Sequence, residues 1–288
     1  MPTPENPETT SGLPASTPSS TPAAAEPPSA PKPGDSYVQS FARGLEVIRS
    51  FSASAPQQTL SEVAAQTGLT RAGARRILLT LQTLGYVHSD GKLFRLTPRI
   101  LDLGFAYLSS QPIWNVAEPV MEQLAEQVRE SCSVAVLEGH DIVYVMRVHT
   151  HKIMSLNLGV GSRLPTYCTS MGRVLLAGLS DAEVKLHLSQ IDRPACTRHT
   201  VTDMAGLMKR VREVRAQGWC LVDQELEEGL ISMAAPVTNR AGETVAALNI
   251  SGQANRTSAK VMQQTMLPAL REAALRISQL LASGGRGR

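Results

Sequence analysis

From residue 37 onward the chain places apolar residues at helical spacing. In SYVQSFARGLEVIRSF (residues 36–51), Phe41, Leu45, Ile48 and Phe51 fall four, three and three positions apart, predicting one apolar stripe on a helix. SAPQQ interrupts it. TLSEVAAQTGL then opens with Thr59 and Glu62 at capping-box spacing, carries Leu60, Val63 and Ala64 inward, and stops at Gly68. In LTRAGARRILLTLQTLGYV (residues 69–87), Thr70 can cap a third helix whose stripe is Ala74, Leu78, Leu81 and Leu84. Gly85 is placed to end that helix in the left-handed conformation, and YVHSDGKLFRL reads as a hairpin turning at Asp90-Gly91. Helix, helix, tight turn, helix, hairpin is the order of a winged helix-turn-helix, here residues 37–97.

TPRILDLGFAYLSSQ predicts a linker helix over 98–111, ended by Gln111-Pro112. Ile100, Leu101, Leu103 and Leu108 make it apolar on more than one side, which suggests burial against a partner subunit or the second domain. Residues 112–284 mix both periods. VAEPVMEQLAEQVRE, TSMGRVLLAGL and DMAGLMKRVREVRAQG read as helices, the last closed by Gly218, and a long helix spans about 257–282. SVAVLEG, DIVYVMRV, KIMSLNL, WCLVD, SMAAPVTN and TVAALNIS read as strands, the first two joined at Gly139-His140-Asp141 and the last two at the RAGE turn. The expectation is an α+β domain built on an antiparallel sheet.

Composition sharpens this division. Ten of the 18 prolines lie within residues 1–33, a stretch almost free of large apolar side chains, so residues 1–36 read as a disordered tail. The tail lacks the apolar core of a secretory signal and the arginines of a transit peptide, and residues 285–288 read as a second short tail. No window is apolar enough to span a membrane. The four cysteines are scattered without a C-x-x-C pair, which argues against a disulfide framework or zinc site and fits a reducing cytoplasm.

Charge is uneven. Residues 36–100 carry eight Lys/Arg against three Asp/Glu, while residues 101–288 carry 19 against 18. A small module with a positive excess points to a polyanion partner. Arg71 and Arg75 lie four apart, opposite the leucine stripe, and no acid occurs between Glu62 and Asp90 to pair with them. Ala72 and Gly73 keep the first turn slim. The first turn of a recognition helix enters the major groove, where arginine reads guanine or clamps phosphate. Thr70, Arg71 and Ala72 are therefore assigned to the groove, Arg75 to base or phosphate, and Arg76 to phosphate. Lys92 and Arg95 would form a wing on flanking DNA.

The stretches SFARGLEVIRSF, TLSEVAAQTGLTRAGARRILLTLQTLGYV, GVGSRLPTYCTSMGRVLLA and DQELEEGLISMAAPV resemble the IclR family of bacterial transcription regulators, over about residues 40–281. They are most similar to the branch governing protocatechuate, 4-hydroxybenzoate and β-ketoadipate catabolism. The resemblance implies a winged helix-turn-helix, a linker helix and a GAF-like ligand-binding domain, assembled as dimers or dimers of dimers. It also implies a small carboxylated effector, aromatic or dicarboxylic, and double-stranded operator DNA. No cofactor is implied.

The residues offer their own case for an anion. LPTYCTSMGRVLLA puts a turn before a helix starting near Thr169, so the N–H groups of Ser170, Met171 and Gly172 can face a carboxylate. The resemblance adds polar groups from Asp223 to Ser232 and from the strand holding Asn249. Ser232 stands where much of the family has cysteine, and Ile231 where the aromatic-acid branch leads one to expect arginine. Tyr144 and Arg147 complete the candidate set. Period-two alternation puts them on opposite strand faces, so at most one faces the pocket directly.

The enzymatic alternative is a cysteine-dependent hydrolase or reductase drawn from Cys168, a histidine and Asp223. It has no nucleophile elbow to support it. His149 and His151 have metal-compatible spacing but no further ligand nearby.

Overall fold

The computed structural model describes residues 34, 37–110, 112–149 and 158–283. Both expected tails, Gln111 and nearly all of KIMSLNL lie outside the described residues, as does His151. The chain divides into two compact units between Thr97 and Pro98.

In the first unit, helices α1 (Gln39–Arg49), α2 (Leu60–Thr67) and α3 (Arg71–Thr83) pack around Val47, Val63, Ala74, Leu78 and Leu81. The local signals hold. Thr59 and Glu62 form the capping box of α2, Thr70 caps α3 through the Gly73 N–H, and Gly85 takes φ 82° directly after α3. Strands β2 (Val87–Ser89) and β3 (Leu93–Leu96) form the hairpin, with Gly91 at φ 101° in its turn. A short strand β1 (Gln58–Thr59), not anticipated from the hydrophobic pattern, pairs with β3 and makes the wing three-stranded.

Two stripe assignments need correction. Leu84 is exposed, because α3 has already ended at Thr83 and the chain turns there. On α1 the buried residue is Val47, whereas Phe41 is 68% exposed and Leu45 is also exposed. The stripe exists, but the described residues of the first unit do not cover it.

The second unit begins with a single 3-10 turn and α4 (Leu101–Ser110), followed by α5 (Pro112–Val128). Its antiparallel sheet holds β4 (Ser131–Glu138), β5 (Asp141–Val148), β6 (Arg163–Pro165), β7 (Cys220–Asp223), β8 (Leu230–Thr238) and β9 (Thr244–Gln253), in the order β6-β5-β4-β9-β8-β7. One face carries Cys132, Val134, Ile231, Met233, Leu248 and Ile250 against α5 and the C-terminal helices. The other carries Ala135, Tyr144, Cys220, Val222, Ala234 and Ala247 against α6 (Ser170–Ala177) and α8 (Met204–Gln217). Covered on both faces, β8 and β9 are apolar in nearly continuous runs rather than in alternation.

Three departures from the expected elements have physical causes. The C-terminal helix is two, α9 (Ala259–Thr265) and α10 (Leu267–Ser283), because Pro268 has no N–H to donate back and its ring crowds the preceding turn. The helix α7 (Asp181–Ser189) escapes the hydrophobic pattern, since it buries only Val184, His187 and Leu188; its mark is the Ser180–Glu183 capping box. In β5, Ala135 pairs with Tyr144 but its neighbour Val134 pairs with Met146, so Val145 is an extra, bulged residue.

α6 is buried along its first seven residues and approaches the preceding turn without clearance. A Cβ at Gly172 would lie 2.2 Å from the Thr166 carbonyl oxygen and 2.5 Å from its Cα. Gly172→Ala should therefore destabilise the protein by about 2–3 kcal/mol, although alanine is intrinsically the better helix former by about 1 kcal/mol. Urea unfolding checks this; wild-type stability would show that the turn yields freely.

Candidate functional site

The N-terminus of α6 opens onto a small cavity whose described lining lies wholly within the second unit. Thr169 caps the helix, its hydroxyl accepting from the Gly172 N–H at 3.2 Å and donating to the Pro165 carbonyl at 2.8 Å. Ser170 and Met171 keep N–H groups that no turn of the helix can accept. Partial positive charge thus faces the cavity from a buried position, as an anion site requires.

Thr169, Ser170, Met171, Ser232, Asn249, Tyr144 and Arg147 all line the cavity. Gly172 does not: its N–H is taken by the cap, and its contribution is the missing Cβ. Asp223 does not line it either. It pairs with Ile231, is exposed, and points away from the face on which its neighbour Val222 reaches inward. Ile231 likewise faces the α5/α10 layer, so its side chain does not enter the cavity.

The bulge at Val145 overturns the expectation that only one of Tyr144 and Arg147 faces inward. Tyr144 pairs with Ala135 and Arg147 with Ser133, two positions apart on β4, so both side chains share the cavity face. Burial pushes the Tyr144 hydroxyl up to about 12, which keeps it a neutral hydrogen-bond donor.

The remaining walls are mostly apolar: Leu158, Leu164, Met171, Val222, Leu226 and Leu230. Polar groups are few and buried. Ser170 and Ser232 share a hydrogen bond of 2.9 Å, and the Asn249 amide donates to Ser251 at 2.9 Å. The Asn249 Oδ1 is buried without a partner among the described residues. A mainly apolar cavity with a few converging polar groups suits a small amphipathic acid.

Residue patterns missed the charged pair behind this site. Arg173, 2% exposed, donates to both Glu225 carboxylate oxygens at 2.6 and 2.5 Å and through Nε to the Tyr167 carbonyl at 2.9 Å. The acidic run 223–228 reads as a solvated loop, and only the fold reveals that Glu225 is buried.

No cysteine chemistry emerges. Burial pushes the thiols of Cys132, Cys168 and Cys220 up to about 12, which keeps them protonated. The buried His187 hydrogen-bonds Thr166, and Asp223 is exposed, so Cys168 has no such triad. Among the described residues no three potential ligands gather into a metal site.

In the first unit, Thr70, Arg71, Ala72, Arg75 and Arg76 are all exposed at the start of α3, and none of the three arginines forms an ion pair with a described residue. Lys92 and Arg95 are exposed on the hairpin.

Residues 40–91 match the IclR helix-turn-helix domain, and residues 105–279 match the C-terminal domain of the bacterial transcriptional regulator IclR. The chain is 43% identical to the Pca regulon regulatory protein of Pseudomonas putida, over 81% of each chain. It superimposes on a transcriptional regulator from Rhodococcus sp. RHA1 with 51% identity and a TM-score of 0.79, covering 85% of this chain and 98% of that one. An IclR homologue from Microbacterium hydrocarbonoxydans, solved with 4-hydroxybenzoate, superimposes with 27% identity and a TM-score of 0.74, over 84% and 98%. Together the two family models take in most of the chain, from the helix-turn-helix to the C-terminal helices, and the chain belongs to the IclR family of bacterial transcriptional regulators.

Proposed function

We propose that the protein binds operator DNA through α3 and its wing, and that a small aromatic acid in the α6 cavity adjusts that binding at genes of aromatic-acid catabolism. The observation that carries the effector half is the buried, uncommitted N-terminus of α6 facing an apolar cavity that also holds Arg147, Tyr144 and Asn249. The carboxylate would sit at the Ser170 and Met171 N–H groups and the ring among the leucines. The likeness to the Pca regulon regulator, and to the homologue solved with 4-hydroxybenzoate, supports this class of acid over others. Such a protein works where the DNA is, in the cytoplasm. No described helix is long and apolar enough to cross a membrane.

On the DNA side, Thr70, Arg71 and Ala72 enter the groove, Arg75 meets base or phosphate, Arg76 meets phosphate, and Lys92 and Arg95 meet flanking backbone or minor groove. Self-association fits the uncovered apolar side chains. Phe41 and Leu45 stand exposed on α1, and Leu101, Leu103, Phe105 and Tyr107 stand exposed on α4, with Leu101 and Phe105 at 69%. Such a concentration is abnormal for a monomer and suits a second copy. A dimer, or a dimer of dimers, would then read a two-fold related operator.

Three outcomes follow. Arg71→Ala or Arg75→Ala should weaken operator binding by about 1–3 kcal/mol where the residue reads a base, whereas Lys92→Ala should lower the salt slope by about one. A double Arg71→Ala, Arg75→Ala variant with wild-type operator affinity would remove α3 as the recognition helix. In thermal unfolding, the matching acid at a hundredfold excess over Kd should raise the melting temperature by roughly 5–10 °C. If protocatechuate, 4-hydroxybenzoate and β-ketoadipate all leave it unmoved, the pathway assignment fails and the DNA-binding reading stands. Phe105→Asp with Leu101→Asp should shift the species seen by sedimentation toward monomer; an unchanged mass would clear α4 of that role.

A further inference from the structure

Arg173 and Glu225 are the most deeply buried charged pair among the described residues, and neither lines the cavity. Their hydrogen bonds run to two other segments, the turn before α6 and the loop 197–201. Arg173 holds the turn before α6 through the Tyr167 carbonyl. Glu225 accepts the Val201 N–H at 3.0 Å, and its own carbonyl accepts the Thr200 hydroxyl at 2.6 Å. One residue earlier, the Gln224 carbonyl accepts the Thr197 hydroxyl at 2.6 Å. Gln224 sits at φ 61°, a left-handed conformation that a glutamine adopts only when its surroundings impose it. The segment so held runs on directly to Leu226 and Leu230, which wall the cavity.

From this geometry we infer that the Arg173–Glu225 pair is a latch that sets the effector site. It fixes the loop Gln224–Leu230 against the N-terminal turn of α6, so that the N–H groups and the apolar wall form one rigid pocket. The pair positions the binding groups and touches no ligand itself. The bidentate geometry suits this role, because a planar guanidinium on a carboxylate fixes orientation as well as distance. The inference rests on the α6 cavity being the effector site, and its test has one arm that does not.

The test uses the full chain as wild type, as Glu225→Gln, and as the double variant Arg173→Met, Glu225→Met. The single variant leaves a buried guanidinium without its carboxylate and can fail to fold; the double variant removes both charges while keeping side-chain volume. Backbone hydrogen exchange is read for residues 224–230 and for β8–β9 without ligand. Kd is then measured for whichever of 4-hydroxybenzoate and protocatechuate the wild type binds, and operator affinity is measured without effector. In the double variant, exchange over 224–230 should quicken at least tenfold with the sheet unchanged. The acid should bind at least tenfold more weakly, and operator affinity should stay at the wild-type value. Unchanged exchange over 224–230, or a wild-type Kd, overturns the latch. Uniform loosening of sheet and loop also overturns it, since that is what a general stabilising pair would produce. If the wild type binds neither acid, the aromatic-acid assignment falls, and the exchange measurement alone decides whether the loop is latched.

Discussion

A helix that starts inside a protein brings buried N–H groups that its own backbone cannot satisfy, and α6 imposes that constraint on the whole second unit. Its first seven residues are buried between the sheet and α8. Each unanswered polar group costs about 1–3 kcal/mol when taken from water. The Thr169 hydroxyl answers Gly172, and the Thr169 carbonyl accepts from Arg173 as the first helical bond. Ser170 and Met171 are left over. The surrounding residues make sense as consequences of leaving them so. Gly172 lets the preceding turn close onto the helix, Ser232 meets Ser170 from β8, and Arg173 with Glu225 secures the turn from behind. The unit keeps this helix start polar and accessible rather than filling it, which is the expected state of a site that a carboxylate completes.

What was legible in the residues was legible because it is local. The capping box at Thr59–Glu62, the cap at Thr70, the stop at Gly85 and the Asp90-Gly91 turn each depend on positions a few residues apart, and each is present. The helix start at Thr169 has the same character, and seven of the nine proposed effector residues do line one cavity. The failures are non-local. The bulge at Val145 arises from how β5 registers against β4, and one extra residue moved Arg147 onto the face of Tyr144. Asp223 was singled out from an acidic run in which the buried member is Glu225, two residues on, and only the pairing of β7 with β8 separates them. The break before α10 needed only Pro268 to be weighed more heavily than the apolar period.

Arginine shows most plainly why sequence context decides some roles and not others. Arg71, Arg75 and Arg76 stand in a stretch with no acid from Glu62 to Asp90, and they remain exposed and unpaired among the described residues. Local context was enough to predict that exposure. Arg173 also lacks a nearby acid, yet it is buried against a carboxylate 52 positions away. The two kinds of arginine look alike in a one-dimensional reading, since both lie early in a helix after a threonine cap. They differ in their surroundings: α6 is buried along its first seven residues, whereas α3 buries only Ala74, Leu78 and Leu81. A helix buried all round cannot present a free guanidinium to water, so an arginine within it requires a partner.

The placing of the two candidate sites in different units sets the terms of any regulation. The described lining of the cavity belongs to the second unit, and the basic helix start belongs to the first. On the proposed reading, an acid bound at α6 acts from a different unit than the residues assigned to DNA. It can alter operator affinity only by binding more tightly to one state of the protein than to another, by a margin typically worth 1–3 kcal/mol. That requirement favours a site whose wall is a held loop over one that is a preformed slot. The wall made of Leu226 and Leu230 belongs to such a loop, held at Gln224 and Glu225 by Arg173 and by the bonds from Thr197, Thr200 and Val201. A site with the same affinity in every state would transmit nothing.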